Sequence, residues 1–414
     1  MAVSMLLACP GLAQESAPSA KKYALAELVV LALKSTPFLA AQDARLEEKT
    51  FSAAQARVWQ GPSVGLLFGR TKQTQASGSR YELSLAQPIP LTGIPGLRGR
   101  LLSLESESLL VQRAASEVLV TLSVAQGAYE YAASRRKAAF AESRRKRFQL
   151  IESYLAGRVF ATPQRMAESR IVTNRVKNLV AEAIRGEAGY KASLEKLKAF
   201  VPLDSGAYPD IDVPWLSGAR GLDEKEWMDK ILVDNPELRA QRLTVQGAGL
   251  EKTLASRAGL PDAALIASYE KGQADIIGTA YGLGLSFGFP SWNRNRSGIK
   301  SAEQRKIASE RQLSFAEQRL RAELSRALVE YEAARQVVLK YPSGTMAELE
   351  GQLKGADEGF RKGQVDLLTF LELDGSAAET YGLALDAQAD LAAKAAEVLA
   401  LTADRDALTK LASF

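Results

Sequence analysis

The chain has 414 residues, 46% of them apolar and 24% charged, which is enough for a core in two to four ordinary domains or in one elongated domain. The 53 Lys and Arg residues exceed the 48 Asp and Glu residues by five and are interleaved with them along predicted helices, which argues against a nucleic-acid partner. With no histidine and one cysteine, the chain lacks the side chains for His-based catalysis and for nearly every transition-metal site, so we expect no enzyme, cofactor or metal centre.

The N-terminus, "MAVSMLLACPGLAQES", is typical of a secretory signal peptide over residues 1–13, with cleavage after Ala13. The apolar run is short and no Lys or Arg precedes it, so a start codon further upstream is an alternative. Another alternative is a lipobox, in which Cys9 is acylated; we favour ordinary cleavage. No apolar stretch approaches the ~20 residues of a membrane helix, which leaves the periplasm, the medium or the outer membrane.

Two segments of the chain repeat. "STPFLAAQ" recurs as "DNPELRAQ", and "ELSLAQPIPL" is answered by "GLGLSFGFPS". The sequence therefore predicts two copies of one unit, over residues 23–200 and 222–410. A linker rich in proline and glycine, residues 201–221, joins them.

Each copy begins with two helices. A short amphipathic helix is predicted near residues 24–34 and again near 223–233. Thr36-Pro37 and Asn235-Pro236 then place a capping residue before a proline, which predicts the start of a second helix in each copy.

Two strands follow in each copy, over residues 63–70 and 80–87 and over residues 263–271 and 279–289. In "AYGLGLSFGF" small residues alternate with large apolar ones, the pattern of a strand with two different environments. The large side chains predict one apolar face, formed by Tyr81, Leu83, Leu85, Tyr281, Leu283, Leu285, Phe287 and Phe289. The bare second face suits the inside of a narrow barrel, and a soluble β-domain is the alternative.

The rest of each copy is a long helix, a break and another helix. A helix of roughly 85 Å is predicted from Leu101 to Gly157, with a heptad seam from Leu104 to Ala132. Pro342 kinks or interrupts the corresponding helix of the second copy. Heptads alone would favour an ordinary dimeric coiled coil. Gly157 and Gly363 are placed to end one helix, and Asp366 to cap the next, so helical hairpin tips are predicted near 156–163 and 362–369.

The predicted strands have the length of a membrane crossing, about 9–11 tilted residues, and aromatic residues flank them as in a membrane barrel. The apolar face would then meet lipid and the bare face the lumen. Because membrane barrels begin at about eight strands, four strands must share a barrel with other copies of the chain.

This duplicated pattern resembles the TolC-like outer-membrane efflux proteins over essentially the whole mature chain. The resemblance is carried by "TPFLAAQ" and "NPELRAQ", by the paired strand hairpins and, most specifically, by "FRKGQVDLLTFLE" at the second tip. The first tip departs from the family pattern because Pro163 lies near its helix start. "QPIPLTGIPGLRGR" and the helix interrupted at Pro342 are more similar to the heavy-metal efflux branch, of the CzcC type, than to the drug-efflux branch.

The resemblance implies a mainly α protein with a small membrane β-barrel. Three chains would form one barrel of twelve strands and a periplasmic tunnel of twelve helices. The trimer would lie in the outer membrane of a Gram-negative bacterium and act as the passive exit duct of a tripartite efflux system. Its partners would be outer-membrane lipid, a periplasmic adaptor and an inner-membrane pump.

Within that resemblance, the adaptor would dock at the two tips. The candidate docking residues are Gly157, Arg158 and Val159 at the first tip and Gly363, Gln364, Val365 and Asp366 at the second. Glu372 is a candidate entrance acid that attracts cations, or else an ordinary solvated glutamate. A basic band, which we expect to be solvated beside acidic neighbours, with adaptor contact as the alternative, is formed by Arg135, Arg136, Lys137, Arg144, Arg145, Lys146 and Arg147.

The transported substrate stays open between heavy-metal cations, drugs and proteins. A type I protein-secretion conduit shares the architecture. A periplasmic coiled-coil scaffold would explain the heptads but leaves four alternating strands unused.

Overall fold

Long helices dominate the computed structural model, which describes residues 22–72, 77–156, 163–203, 208–218, 220–274, 276–288, 294–402 and 411. The first half contains β1 (Lys22–Ala24), α1 (Leu25–Ser35), α2 (Pro37–Arg57), β2 (Ser63–Lys72), β3 (Ser77–Ile89), α3 (Ile94–Ala156) and α4 (Pro163–Lys198). The second half contains β4 (Asp210–Asp212), α5 (Glu224–Asp234), α6 (Pro236–Arg257), β5 (Asp262–Ala274), β6 (Ile276–Gly288), α7 (Arg296–Val338), α8 (Thr345–Arg361) and α9 (Leu367–Thr402). The order of two helices, two strands and long helices thus occurs twice.

The second helix of each half begins at a proline, but the residues before the two prolines act differently. Asn235 caps α6 as predicted, because its side-chain oxygen accepts a hydrogen bond from the Leu238 N–H at 3.0 Å. Thr36 makes no such bond to α2, so its predicted capping role is wrong. Its hydroxyl instead donates back to the Ala32 carbonyl and lies 3.2 Å from the Phe200 carbonyl.

The longest helix, α3, has 63 residues and begins at Ile94, earlier than the predicted start at Leu101. Pro95 lies in the first turn of α3, where helix N–H groups have no partner within the helix, so its missing N–H costs no hydrogen bond. At 1.5 Å per residue, α3 spans about 95 Å. The predicted interruption at Pro342 is confirmed, because α7 ends at Val338 and α8 begins at Thr345.

The four long strands form one antiparallel sheet in the order β2-β3-β5-β6. Leu83 on β3 pairs with Leu66 on β2 and Tyr269 on β5, and Tyr269 pairs in turn with Tyr281 on β6. The strands are longer than predicted at their turn ends, because the ladder between neighbouring strands continues into the polar turns. In the part of the chain that the structure describes, the outer strands, β2 and β6, each have one neighbour in the sheet, so both sheet edges are unpaired there.

The core runs along the helices rather than through a single centre. Its largest cluster contains the α3 seam from Val118 onward, including Leu122 and Ala125, together with buried residues of α7 and α9. The predicted heptad seam is half-buried before Val118 and buried after it. A second cluster lies towards the tip, around Phe148 and Phe370. Helices of both halves of the chain therefore share one hydrophobic core along this seam.

The segment between the halves is held to the helices by buried polar groups. The hydroxyls of Tyr129 and Tyr131 donate to the carbonyls of Pro214 and Pro209, each at 2.9 Å. The Gln388 side chain bonds both the N–H and the carbonyl of Leu216, at 2.8 and 2.9 Å. These bonds satisfy backbone groups that would otherwise be buried without partners. The described linker residues 208–218 are therefore held against α3 and α9 by these hydrogen bonds.

One described helix, α3, contains an 18-residue stretch with a mean hydropathy of 1.3, apolar and long enough to cross a membrane by length and composition alone. The bent pair α1 and α2 passes the same test. This corrects the expectation that no apolar stretch approaches that length. Burial of α3 residues such as Val118, Leu122 and Ala125 in the core accounts for its apolar character. The predicted signal peptide lies outside the described residues.

Candidate functional site

The sheet has one continuous apolar face, built by the register of its strands. Phe68 packs edge-on against Tyr81 with ring centroids 5.8 Å apart, and Tyr269 contacts Tyr281 at 5.3 Å. The residues predicted to face lipid share this face and are exposed: Tyr81, Leu83, Leu85, Tyr281, Leu283, Leu285 and Phe287. Phe289, predicted to join them, lies outside the described residues. Leu283 is 85% exposed, so none of the described residues covers this part of the face.

The opposite face of the sheet is nearly bare. Ser84 pairs with Gly65 on one side and Ser268 on the other, and Ser268 pairs with Gly282. A Cβ added at Gly282 would lie 2.6 Å from the Ser268 hydroxyl oxygen, whereas one added at Gly284 would meet nothing within 4 Å. The small residues therefore leave open space over this face, as the alternation predicts.

The second tip is a tight helix end centred on Gly363. The predicted left-handed conformation is confirmed, with φ of +73°. The Gln364 N–H donates to the Gly359 carbonyl at 2.8 Å and the Gly363 N–H to the Phe360 carbonyl at 3.0 Å, the paired bonds of a Schellman end. A Cβ at Gly359 would approach Val365 to 2.9 Å, so the turn requires a small residue there.

Asp366 starts the helix that leaves the tip. Hydrogen bonds from the Thr369 side chain, and from the N–H groups of Thr369 and Leu368, lower the pKa of the Asp366 carboxyl. This is the behaviour of a helix N-cap, and it confirms the predicted cap. At the other tip, Gly157, Arg158 and Val159 lie outside the described residues.

The structure contains a buried charge cluster that the sequence interpretation missed. Arg144 and Asp374 are 2% and 0% exposed, and Arg144 Nε and Nη2 donate to the two Asp374 oxygens at 3.1 and 2.6 Å. Arg175 of α4 donates to Asp374 at 3.2 Å, and Arg144 also donates to Glu182 at 3.0 Å. Burial opposes the charged form of Arg144, but the hydrogen bonds to Asp374 outweigh it and raise its pKa.

Arg144 is therefore not part of a solvated basic band, which corrects that expectation. The sequence feature that could have predicted this cluster is the position of Asp374 on the buried seam of α9, which also carries Leu367, Phe370 and Tyr381. An acid on an apolar seam requires a buried partner. Glu372, the predicted entrance acid, lies two residues away on the exposed side of α9.

Aromatic contacts reinforce the junction between α3 and α9 on both sides of the charge cluster. Phe140 and Tyr381 stack with ring centroids 3.9 Å apart and an interplanar angle of 6°. Phe148 and Phe370 meet at 5.5 Å, nearer the tip. Within the described ranges, no group of three or more Cys, Asp or Glu residues is arranged to hold a metal ion.

Comparison with known proteins places this fold among outer-membrane channels. Residues 227–405 match the family of outer membrane efflux proteins. The fold is shared with crystal structures of CusC, described with its transmembrane channel formation (TM-score 0.73, 14% identity, 91% of each chain covered). It is also shared with the CmeC outer membrane channel of Campylobacter jejuni (TM-score 0.72, 14% identity, 94% of this chain and 89% of that one).

A membrane protein from Pseudomonas aeruginosa has the same fold (TM-score 0.72, 18% identity, 95% of this chain and 96% of that one). Comparison with the curated proteins finds no match. At these identities the structural matches show the fold, and the family match covers the second half of the chain.

Proposed function

We propose that three copies of this chain form an outer-membrane exit duct of the efflux-protein family. The sheet carries the proposal. Its apolar face has exposed side chains on all four strands, and among the described residues neither edge strand, β2 or β6, has a second neighbour. Pairing β6 of one copy with β2 of the next closes a ring of identical contacts. Four strands from each of three copies make twelve, above the minimum of about eight for a membrane barrel.

In this assembly the apolar face meets lipid and the bare face lines the lumen. Beneath the barrel, the long helices of the three copies form a periplasmic tunnel. The two halves of the chain, residues 23–200 and 222–410, act as two copies of one unit around the ring. The exposed aromatic residues Tyr81 and Tyr281 lie towards the turn ends of the strands, where a membrane interface suits them.

The adaptor docks at the helical tips, and the inner-membrane pump supplies the substrate. The second tip is suited to docking because its Schellman turn and the Asp366 cap fix the backbone of Gly363, Gln364 and Val365 in one shape. Gly157, Arg158 and Val159 form the equivalent contact at the first tip. Glu372, exposed on α9, faces the entrance and attracts cations.

For the substrate we propose heavy-metal cations, in keeping with the resemblance to the CzcC branch. Drug efflux is the second candidate, because the fold alone does not distinguish the substrates of outer-membrane channels. Export of a protein by a type I secretion system uses the same architecture and is the third.

Assembly is tested by expressing the full chain in a Gram-negative host. We expect the protein in the outer-membrane fraction, with mostly helical circular dichroism and a mass in detergent of about three times 44.7 kDa. A monodisperse soluble monomer lacking the signal segment would contradict the barrel. Deletion of the gene then distinguishes the three candidate substrates. Sensitivity to metal ions would support metal efflux, sensitivity to drugs would support drug efflux, and loss of one secreted protein would support protein export.

A further inference from the structure

Three charged side chains lie together on the bare face of the sheet, near its turn end. Arg80 and Glu82 are two residues apart on β3, and Glu270 is on β5. Their side chains are 43%, 33% and 40% exposed. Arg80 pairs with Gly69 and Gly272, and Ser84 and Ser268 form the next pair, whereas Leu67 pairs with Glu82 on the β2 side.

The register places like charges opposite each other. Glu82 pairs directly with Glu270 across adjacent strands, an arrangement that destabilises a sheet. Arg80 lies between them, with its Nη2 3.3 Å from Glu82 and its Nε 2.8 Å from Glu270. The Nε contact lacks the alignment of a hydrogen bond, so the attraction there is electrostatic. One arginine thus holds two carboxylates in place and neutralises one of them.

The cluster keeps one net negative charge per chain, from two carboxylates and one guanidinium. The other basic side chains nearby do not balance it: Lys271 and Arg70 fall on the apolar face by the alternation of their strands. Among the described strand residues on the bare face, the remaining charged side chain is Asp262, at the far end of β5, and it is also acidic.

We propose that Arg80, Glu82 and Glu270 form an electronegative ring inside the barrel that makes the exit duct prefer cations. The proposal rests on the proposed trimer, in which one net charge per chain gives three negative charges at one level of the lumen. Rings of carboxylates favour cations in channels. Because the Debye length is about 8 Å at 0.15 M salt and about 30 Å at 0.01 M, the preference is strongest in dilute salt.

The test measures reversal potentials of the purified trimer in planar bilayers, with a KCl gradient at low and at high total concentration. Glu270→Gln leaves Arg80 and Glu82 as a neutral pair, and its cation preference should fall. Arg80→Gln leaves two carboxylates, and its preference should rise. The double variant Arg80→Gln with Glu82→Gln restores one negative charge and should behave as the native channel. Ser268→Asn, neutral and on the same face, is the control.

The proposed ring requires that Glu270→Gln and Arg80→Gln shift the reversal potential in opposite directions. If both variants conduct but neither changes the reversal potential, the proposed electronegative ring is wrong, while the proposed exit duct is unaffected. Should the native protein give neither trimer nor conductance, the proposed function itself fails. If Arg80→Gln does not assemble, because its two carboxylates repel, Glu270→Gln and the double variant still decide. Glu372→Gln, measured beside them, separates this ring from selection at the tip.

Discussion

Arg144 on α3 and Asp374 on α9 form a two-point ion pair that is closed to solvent and joins the first helical hairpin to the second. The residues are far apart in sequence, and Arg175 on α4 contacts the same carboxylate, so three long helices meet at one acid. A buried ion pair adds little net stability, but removing one partner leaves a charge in a site without water. The junction between the hairpins therefore depends on Asp374 being present and charged.

Asp374→Ala should destabilise the helical region by about 3–5 kcal/mol, because Arg144 loses both of its buried hydrogen bonds to that carboxylate. Limited proteolysis of the assembled protein, with rising temperature, measures the loss. Glu182→Gln is the matched control: Glu182 contacts the same arginine but its side chain is 51% exposed, so the expected change is below about 1 kcal/mol.

Replacing the pair together, Arg144→Met with Asp374→Leu, should recover most of the stability, since apolar residues can substitute for a buried ion pair. Equal losses in the single and double variants would show that the pair is not what holds the hairpins together.

Gly363→Val should damage docking while leaving assembly intact. At φ of +73° a β-branched side chain costs about 1–2 kcal/mol or forces the turn into another shape. The sheet directly precedes α7, and the 43 residues of that helix, at about 1.5 Å each, place it tens of ångströms from the tip. We expect normal trimer levels, lost efflux and weaker cross-linking to the adaptor.

Gly355→Ala serves as the control for the tip, since it lies inside α8 with nothing within 4 Å of an added Cβ. This change should stabilise the helix by about 0.5–1 kcal/mol and leave transport unchanged. Full transport by the Gly363→Val protein would remove this tip from the docking site.

The two faces of the sheet should respond differently to substitution. Leu285→Arg places a charge on the apolar face, at about 2–4 kcal/mol near the bilayer midplane. Gly284→Ser points to the bare face, where an added Cβ meets nothing within 4 Å, and should be tolerated. The yield of trimer in outer-membrane fractions compares the two variants. Equal yields would mean that the faces are assigned the wrong way or that the sheet does not contact lipid.

Part of the helical stability should disappear in acid through Glu332. Hydrogen bonds from Arg335, at 2.7 and 2.8 Å, and from Gln336 lower the pKa of Glu332 from 4.5 to about 2. Because the folded-state pKa is depressed, this stability is complete above pH 4.5 and is lost as the pH falls towards 2. The group is largely exposed, so solvent screening limits the effect to about 0.2–1 kcal/mol.

Native protein should therefore unfold at a higher temperature than the Glu332→Gln variant at pH 7, and the two should converge near pH 2. Glu350→Gln, an exposed position on α8, is the control. A gap between native and Glu332→Gln proteins that stays constant with pH would show that the carboxylate charge is not responsible.

Features set by neighbours in the sequence were predictable. Strict alternation predicts strands whatever lies beyond them, and it assigned Leu283 and Gly284 to opposite faces of β6. Likewise, Gly363 and Asp366 are adjacent to the helix ends that they form, so the second tip was readable residue by residue.

Features set by distant parts of the chain were not predictable in the same way. Thr36 fits the pattern of a cap as well as Asn235 does, yet its hydroxyl is drawn to carbonyls of α1 and of Phe200, at the end of α4. Arg144 reads as one of four basic residues in a row until its partner, 230 positions later, is known. The opposition of Glu82 and Glu270 depends on which strands are neighbours, which periodicity alone does not determine.

The unpaired edges of β2 and β6 also bear on how the protein reaches its membrane. A lone chain presents two open hydrogen-bonding ladders and an exposed apolar face, the surface on which strands of different chains aggregate. No one-chain barrel can exist as a stage of its biogenesis, since four strands do not close. In the proposed trimer the strands therefore meet those of other copies before or during insertion, and each chain is exposed to aggregation until its β6 pairs with a neighbour's β2.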